Sequence, residues 1–458
     1  MPGIRRLLVA NRGEIAVRVI RAARSLGIET VLAASAADRD SLGAALADRT
    51  VCLGPGPAAQ SYLNPGLVVE AARGTGCDAL HPGYGFLSEK PALARACAAF
   101  GITFVGPPPD TIEQMGDKLA ARAMAARAGV PLLPGSAAVA DSAAAASIAA
   151  EVGYPVLLKA AAGGGGRGMM IADDEPALHA AFETASAEAR AAFGDGTLYV
   201  ERFIRNARHI EVQVLADGHG KVLHLGERDC SVQRRYQKVI EEGPAATLAP
   251  GIRAAIQAAA VKLISALDYA NAGTVEFLYD AERAAFFFIE VNARIQVEHP
   301  VTELITGQDL VAWQLRIAGG EPLDLEQSDI ALSGHAIECR INAEDPANGF
   351  RPSPGRVQGF AAPEDPAVRF DTYLAEGALV PPFYDSMVGK LLVHGSDRDD
   401  AIARMLAALD DLRIDGLSTN QAFHRFVLRH PDFAAGRVHT RWLETVGMDA
   451  FLARESAA

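Results

Sequence analysis

Apolar residues in the first hundred positions fall into short runs separated by helical patterns. Residues 7–10, Leu-Leu-Val-Ala, read as a buried strand. Across 14–26, Ile15, Val19, Ile20 and Ala23 recur at spacings of three and four, which places them on one helical face, and Gly27 ends it. Apolar runs at 30–34, 51–53, 78–80 and 102–105 predict further strands, with helices near 41–47 and 66–72. Strand, helix, strand at this spacing predicts a doubly wound parallel sheet with right-handed crossovers. No GxGxxG follows the first strand, so this half is not predicted to bind a dinucleotide.

Residues 111–130 read as a helical connector that ends at Gly129-Val130-Pro131, and 137–150 as a surface loop plus a helix. The texture changes from Tyr154. Strands at 156–159 and 169–171 flank a glycine cluster, and a long helical pattern covers 175–193. Runs at 198–203, 209–215 and 222–225 predict strands of antiparallel character. Residues 273–279 and 286–292 predict a strand pair turning at 280–285, followed by a helix over 303–318. Residues 334–446 form a last α+β unit rich in turn residues, such as Arg351-Pro352-Ser353-Pro354-Gly355. No solenoid-type repeat is present.

With 458 residues the chain has room for about three domains. Half of its residues are hydrophobic, enough to bury substantial cores. The formal charge of -13 argues against a nucleic-acid partner, since a polyanion binder is usually basic. Five cysteines, scattered without CxxC spacing, indicate a reducing compartment with neither a zinc site nor a disulfide framework. No run approaches the ~18 apolar residues of a membrane helix. The apolar stretch after Arg5-Arg6 is too short for a secretory signal. A cytoplasmic protein without membrane attachment is expected.

Three segments carry candidate chemistry. In the first, Lys159 precedes Gly163-Gly164-Gly165-Gly166-Arg167-Gly168. Bare glycine backbone can approach a phosphate closely, and a strand-borne lysine can reach its oxygens. A flexible hairpin tip would also use glycines, but not with Lys159 before them and Arg167 among them. The loop lacks Gly-Lys-Ser/Thr and is not a P-loop. In the second, Glu276 and Glu290 lie on the two paired strands, with Asn292 two residues on and so on the same face as Glu290. Hard oxygen ligands of this kind suit Mg²⁺ held jointly with nucleotide phosphates. Solvated edge carboxylates are the plainer alternative, but both glutamates sit inside strongly apolar strands and need a compensating partner. In the third, alternation extends this face to Arg294, Gln296 and Glu298 if the chain stays extended, adding an anion clamp, an amide and a general base.

Lysine is scarce: seven residues, against an arginine-rich background. Three of the seven, Lys118, Lys159 and Lys238, fall in motifs, where a compact point charge is not replaceable by arginine.

Taken together, the segments 10–16, 81–89, 115–118, 163–169, 227–238, 290–300 and 338–346 resemble the biotin carboxylase family of ATP-grasp ligases, in the family's order and over nearly the whole chain. The resemblance implies an N-terminal domain over 1–112, an ATP-grasp domain over 113–330 with a glycine-rich lid at about 133–205, a C-terminal α+β domain over 331–447, and a tail at 448–458. It implies nucleotide contacts at Lys118, Lys159, Glu201, Ile204, His209 and Tyr236, with Gly165 and Gly166 on the phosphates. It assigns Glu276, Glu290 and Asn292 to Mg²⁺ or Mn²⁺, with Glu276 and Glu290 also at the ATP site. Bicarbonate falls to Lys238, Arg294 and the backbone of Val297, the general base to Glu298, and the biotin enolate to Arg340. Tyr236 stands where the family often has histidine.

The implied reaction is ATP-dependent carboxylation of biotin by bicarbonate through carboxyphosphate, as the first half-reaction of a biotin-dependent carboxylase, with an acyl-CoA carboxylase favoured. No lysine here is flanked by methionine and the chain ends at Ala458. A separate biotin carboxyl carrier protein or domain is therefore expected, and the resemblance implies a carboxyltransferase subunit as a further partner and a homodimer. An ATP-grasp ligase for another carboxylate is the competing enzyme, against which the Arg294–Glu298 segment and Arg340 weigh. A non-catalytic nucleotide sensor is disfavoured by Glu276 and Glu290.

Overall fold

The computed structural model describes residues 3–161 and 169–455. Its first unit is a five-stranded sheet in the order Arg49–Gly54, Glu29–Ser35, Arg6–Val9, Ala79–His81 and Thr103–Phe104, with every pairing parallel. Alternation along these strands feeds two cores. Leu7, Val9, Leu32 and Ala34 pack on one side, and Leu8, Val31, Ala33 and Leu80 on the other. Helix Gly13–Ser25 covers the first face with Ile15, Val19 and Ile20. Both faces are buried, as in a doubly wound sheet. Helix Pro91–Ala99, absent from the sequence reading, completes the layer, with proline in its first turn.

The connector consists of two helices, Pro109–Gly116 and Lys118–Arg127. Asp117 separates them, and its side chain caps the second by accepting from the Leu119 and Ala120 N–H groups. Lys118 thus sits in the first helical turn, where a positive charge opposes the helix dipole.

Residues 135–202 form a separate antiparallel sheet in the order Gly135–Val139, Leu198–Arg202, Val156–Ala160 and Met169–Ala172. The segment expected as a surface loop before a helix is the edge strand Gly135–Val139, followed by helix Ser142–Val152. Small alanines conceal its strand period, since they fit either structure. Helix Glu175–Phe193 packs with it over this sheet. The stretch at about 133–205 expected to form a lid contains this unit. Gly165, Gly166 and Arg167 lie outside the described residues.

The largest element is an eight-stranded antiparallel sheet. Its order is Ala285–Asn292, Asn271–Asp280, Arg208–Ala216, Val222–Arg234, Gln237–Gly243, His335–Asn342, Met387–Gly395 and Val368–Thr372. The strand at 222 runs much further than the sequence suggested, and it joins the next strand through Arg235 and Tyr236. The sheet crosses the expected boundary near residue 330, because Gln237–Gly243 pairs directly with His335–Asn342. Central and C-terminal parts therefore share one hydrogen-bonded surface. The helix expected over 303–318 is two helices, His299–Thr306 and Leu310–Ala318. They are broken at Gly307, whose φ of 71° suits glycine. Among the described residues no helix is long and apolar enough to cross a membrane.

Candidate active site

A cavity of about 800 Å³ opens where these units meet. Lys118, Lys159, Glu201, Ile204, His209, Tyr236, Lys238, Glu276, Glu290, Asn292, Arg294, Val297 and Arg340 all line it. Residues from segments more than 200 positions apart thus line one cavity.

On the side of the small sheet, Lys159 and Glu201 face each other from adjacent strands at 2.9 Å, and Arg122 also pairs with Glu201. Burial pushes the Glu201 carboxyl up, but these two cations overcome it and leave it below the usual carboxylate range. Burial lowers the pKa of Lys118, against the pull of Glu290.

At the sheet edge, Glu276 and Glu290 are register partners on antiparallel strands, as are Thr274 and Asn292. Glu276 accepts from Lys238 at 2.9 Å and from Asn292 Nδ2 at 2.9 Å, with His209 Nε2 at 3.2 Å. The Glu290 side chain makes no hydrogen bond or ion pair among the described residues. Burial, reinforced by Glu276, pushes its pKa up. Two facing carboxylates, one without a partner and lining a cavity beside Lys118, fit a divalent cation shared with phosphates. Asn292 Oδ1 accepts from Arg294 at 2.9 Å, so it can ligate only by exchanging that bond.

The extended conformation expected beyond Asn292 does not persist as a strand. The ladder ends there, and Glu298 precedes helix His299–Thr306. The side chains nonetheless converge. Arg294 bonds Gln296 at 2.7 Å and Glu89 at 2.9 Å, and Gln296 reaches Glu276 at 3.3 Å. Glu298 lies fully buried beneath the wall. Lys238 caps one of its oxygens at 2.7 Å and Arg340 the other at 2.9 Å. Burial pushes its pKa up, but Lys238, Arg340 and Arg228 prevail and hold it well below the ordinary value.

The sequence reading missed several partners. Glu211 pairs with Lys238 at 2.5 Å and Glu241 accepts from Arg340 at 2.6 Å. Glu211 was accessible from alternation, two residues past His209 in an apolar strand. Glu241 sits in the apolar run Val239-Ile240, where a buried charge also signals a partner. Lys390, another of the scarce lysines, is fully buried against Glu14 at 3.1 Å. Arg235 and Tyr236 form a two-residue turn with φ of 49° and 65°. That conformation normally takes Asn-Gly, and here it presents the phenol at the cavity.

A lid-like sheet and an antiparallel sheet that grip a cavity lined by lysines and facing carboxylates define an ATP-grasp ligase. Family models match in succession: the biotin carboxylase N-terminal domain over 3–112, the carbamoyl-phosphate synthase L chain ATP-binding domain over 117–326, and the biotin carboxylase C-terminal domain over 338–445. A biotin carboxylase of Pseudomonas aeruginosa is 51% identical over 449 residues, covering 97% of this chain and 99% of that protein. Among solved structures, a biotin carboxylase–β,γ-ATP complex from Campylobacter jejuni superposes with a TM-score of 0.94 at 45% identity, over 96% of this chain and 98% of the other. The biotin carboxylase domain dimer of Hydrogenobacter thermophilus 2-oxoglutarate carboxylase, in complex with MgADP, ADP and bicarbonate, has a TM-score of 0.94 at 46% identity, over 97% and 98% of the two chains. The chain belongs to the biotin carboxylase family.

Proposed function

We propose that the chain carboxylates biotin, presented by a carrier protein or domain, using ATP and bicarbonate. One observation carries the reading. Lys238 and Arg340 share the buried Glu298, Lys238 also pairs with Glu276, and Lys118, Lys159, Glu290 and Arg294 line the same cavity.

ATP lies against Lys118, Lys159, Glu201, Ile204, His209 and Tyr236, with Gly165 and Gly166 expected on its phosphates. Glu276 and Glu290, with Asn292, would hold Mg²⁺ or Mn²⁺. Such an ion neutralises phosphate charge. Lys238, Arg294 and the Val297 N–H hold bicarbonate. Glu298 is ionised and takes the bicarbonate proton. Its basicity rises as Lys238 turns toward the anion, because that cation suppresses its pKa. The deprotonated oxygen attacks the γ-phosphorus, giving carboxyphosphate and ADP. Lys159 offsets charge gathering on the transferring group. Carboxyphosphate then breaks its C–O bond to give CO₂ and inorganic phosphate beside biotin; the phosphate takes the biotin ureido N–H proton, Arg340 stabilises the enolate oxygen that results, and the nitrogen bonds CO₂. Closure of the 135–202 unit excludes water from the intermediate.

We also assign residues 1–112, 113–330 and 331–447 as functional units, and the working form as a homodimer in the cytoplasm. The dimer of the Hydrogenobacter domain supports the oligomeric state. The carboxyl group then passes to an acceptor on a carboxyltransferase subunit. We take an acyl-CoA as that acceptor, with a 2-oxo acid as the competing one, and the carboxyltransferase that co-purifies with the chain decides. The primary test is bicarbonate-dependent ATP hydrolysis stimulated by biotin. A ligase acting on another carboxylate would show neither dependence.

A further inference from the structure

His299 follows Glu298 directly, and its ring is fully buried. Nδ1 lies 2.7 Å from the Gln296 carbonyl oxygen. A carbonyl only accepts, so Nδ1 carries the proton and donates. Burial, with Lys390, Arg18 and Arg369 nearby, holds the ring well below the ordinary histidine value and keeps it neutral. Nε2 is then a bare acceptor, and it has no partner among the described residues. An unpaired buried acceptor is a cost that an apolar side chain of similar size would avoid. What the apolar side chain would lack is the Nδ1 bond.

That bond acts on a single planar unit. The Gln296 carbonyl and the Val297 N–H belong to the same peptide group, and in a trans peptide they point in opposite directions. Holding the oxygen toward His299 turns the Val297 N–H away from the ring. That N–H has no partner among the described residues, and Val297 lines the cavity. The following peptide is held as well. Lys390 Nζ donates to the Val297 carbonyl at 2.9 Å, and the lysine is itself anchored by Glu14. The backbone on both sides of Val297 is thus pinned from beneath the cavity wall.

We propose that His299, supported by Lys390, is a positioning residue that aims the Val297 N–H at an oxyanion lying between Lys238 and Arg294. This rests on reading that pocket as the bicarbonate site. His299 touches no reactant. Its contribution is to spare bound bicarbonate the entropy of ordering a turn.

Three variants of the full chain test it. The amide nitrogen of asparagine occupies the place of Nδ1, and that of glutamine the place of Nε2. KM values for bicarbonate and for ATP are measured in bicarbonate-dependent ATP hydrolysis. His299→Gln and His299→Leu should raise the bicarbonate KM about tenfold, the scale of one misdirected hydrogen bond, with the ATP KM within about twofold. His299→Asn should stay within about threefold of the parent for bicarbonate. Thermal melting establishes which variants fold; if the leucine variant does not, the Asn and Gln pair decides. Equal effects of Asn and Gln, parallel rises in both KM values, or no rise with Gln would overturn the proposal. A parent enzyme without bicarbonate dependence would instead overturn the reading of the pocket on which it rests.

Discussion

Glu276 and Glu290 stand opposite each other in register on neighbouring strands, yet their surroundings differ sharply. Glu276 is saturated by Lys238, Asn292 and His209. The Glu290 side chain faces the cavity without a hydrogen-bond or ion-pair partner among the described residues, and burial, reinforced by Glu276, raises its pKa. The pair is a half-compensated charge site, the condition in which an incoming cation gains most.

Removing the free member should therefore disable turnover while leaving the fold intact. Glu290→Gln keeps the shape and deletes the charge. We expect a loss of at least ~10²-fold in ATP turnover at saturating Mg²⁺, comparable to deleting one electrostatic group at a transition state. Near-normal ATPase in this variant would exclude Glu290 as a ligand.

Arg340 bonds Glu298 and Glu241, whereas Lys159 pairs with Glu201 on the small sheet. Arg340→Ala should impair biotin carboxylation far more than bicarbonate-dependent ATP hydrolysis. Equal losses in both assays would mark the arginine as a structural brace for Glu298.

Much of this site was legible along the chain, and the reason is period. Glu290 and Asn292 share a strand face by simple alternation, and carboxylates inside Phe286-Phe287-Phe288-Ile289 stand out chemically. What stayed hidden depends on pairing across long separations. Glu211 meets Glu276 only because strands 208–216 and 271–280 align, and Glu241 lies opposite Glu338 only because 237–243 and 335–342 do. No local pattern encodes that register. Other misses had available signals: Gly307 announced the break within 303–318, and Pro250 announced the overlooked helix Pro250–Ser265. Arg294, Gln296 and Glu298 converge for a different reason from the one their spacing suggested, since the chain turns instead of staying extended.

Glu242 should contribute to stability against acid. It is buried, with His335 Nε2 at 3.0 Å and Arg398 Nε at 2.6 Å. Burial pushes its carboxyl up, but these partners win and hold it at about 2. An unfolded glutamate titrates near 4.3, so on acidification the unfolded chain takes up the proton first. The stabilisation is fully present above about pH 5 and is lost as pH falls toward 2. Glu242→Gln should cost roughly 3 kcal/mol at neutral pH, and the gap to the parent should narrow with acidity. Melting temperatures measured from pH 7 down to pH 3 test this, and a gap independent of pH would refute it.

Biotin should reach this cavity on another polypeptide or domain rather than on any lysine described here. A carrier lysine must be exposed to a biotin ligase and then swing its cofactor into a distant site. Lys159 and Lys390 are buried, and Lys238 is held by three carboxylates. Lys118 lines the cavity, and Lys221 donates to Leu323 and Leu325 carbonyls and to Glu326. Only Lys90 and Lys262 are exposed. Lys90 caps a helix between Glu89 and Pro91, and Lys262 lies within helix Pro250–Ser265. None of the seven has a methionine neighbour. A tethered biotin also gains effective concentration that free biotin lacks. We expect weak turnover with free biotin, much faster turnover with a biotinylated carrier, and no biotin on this chain after co-expression with a biotin ligase. Intact-mass and peptide mass spectrometry provide the check, and a biotinylated lysine among the seven would refute presentation in trans.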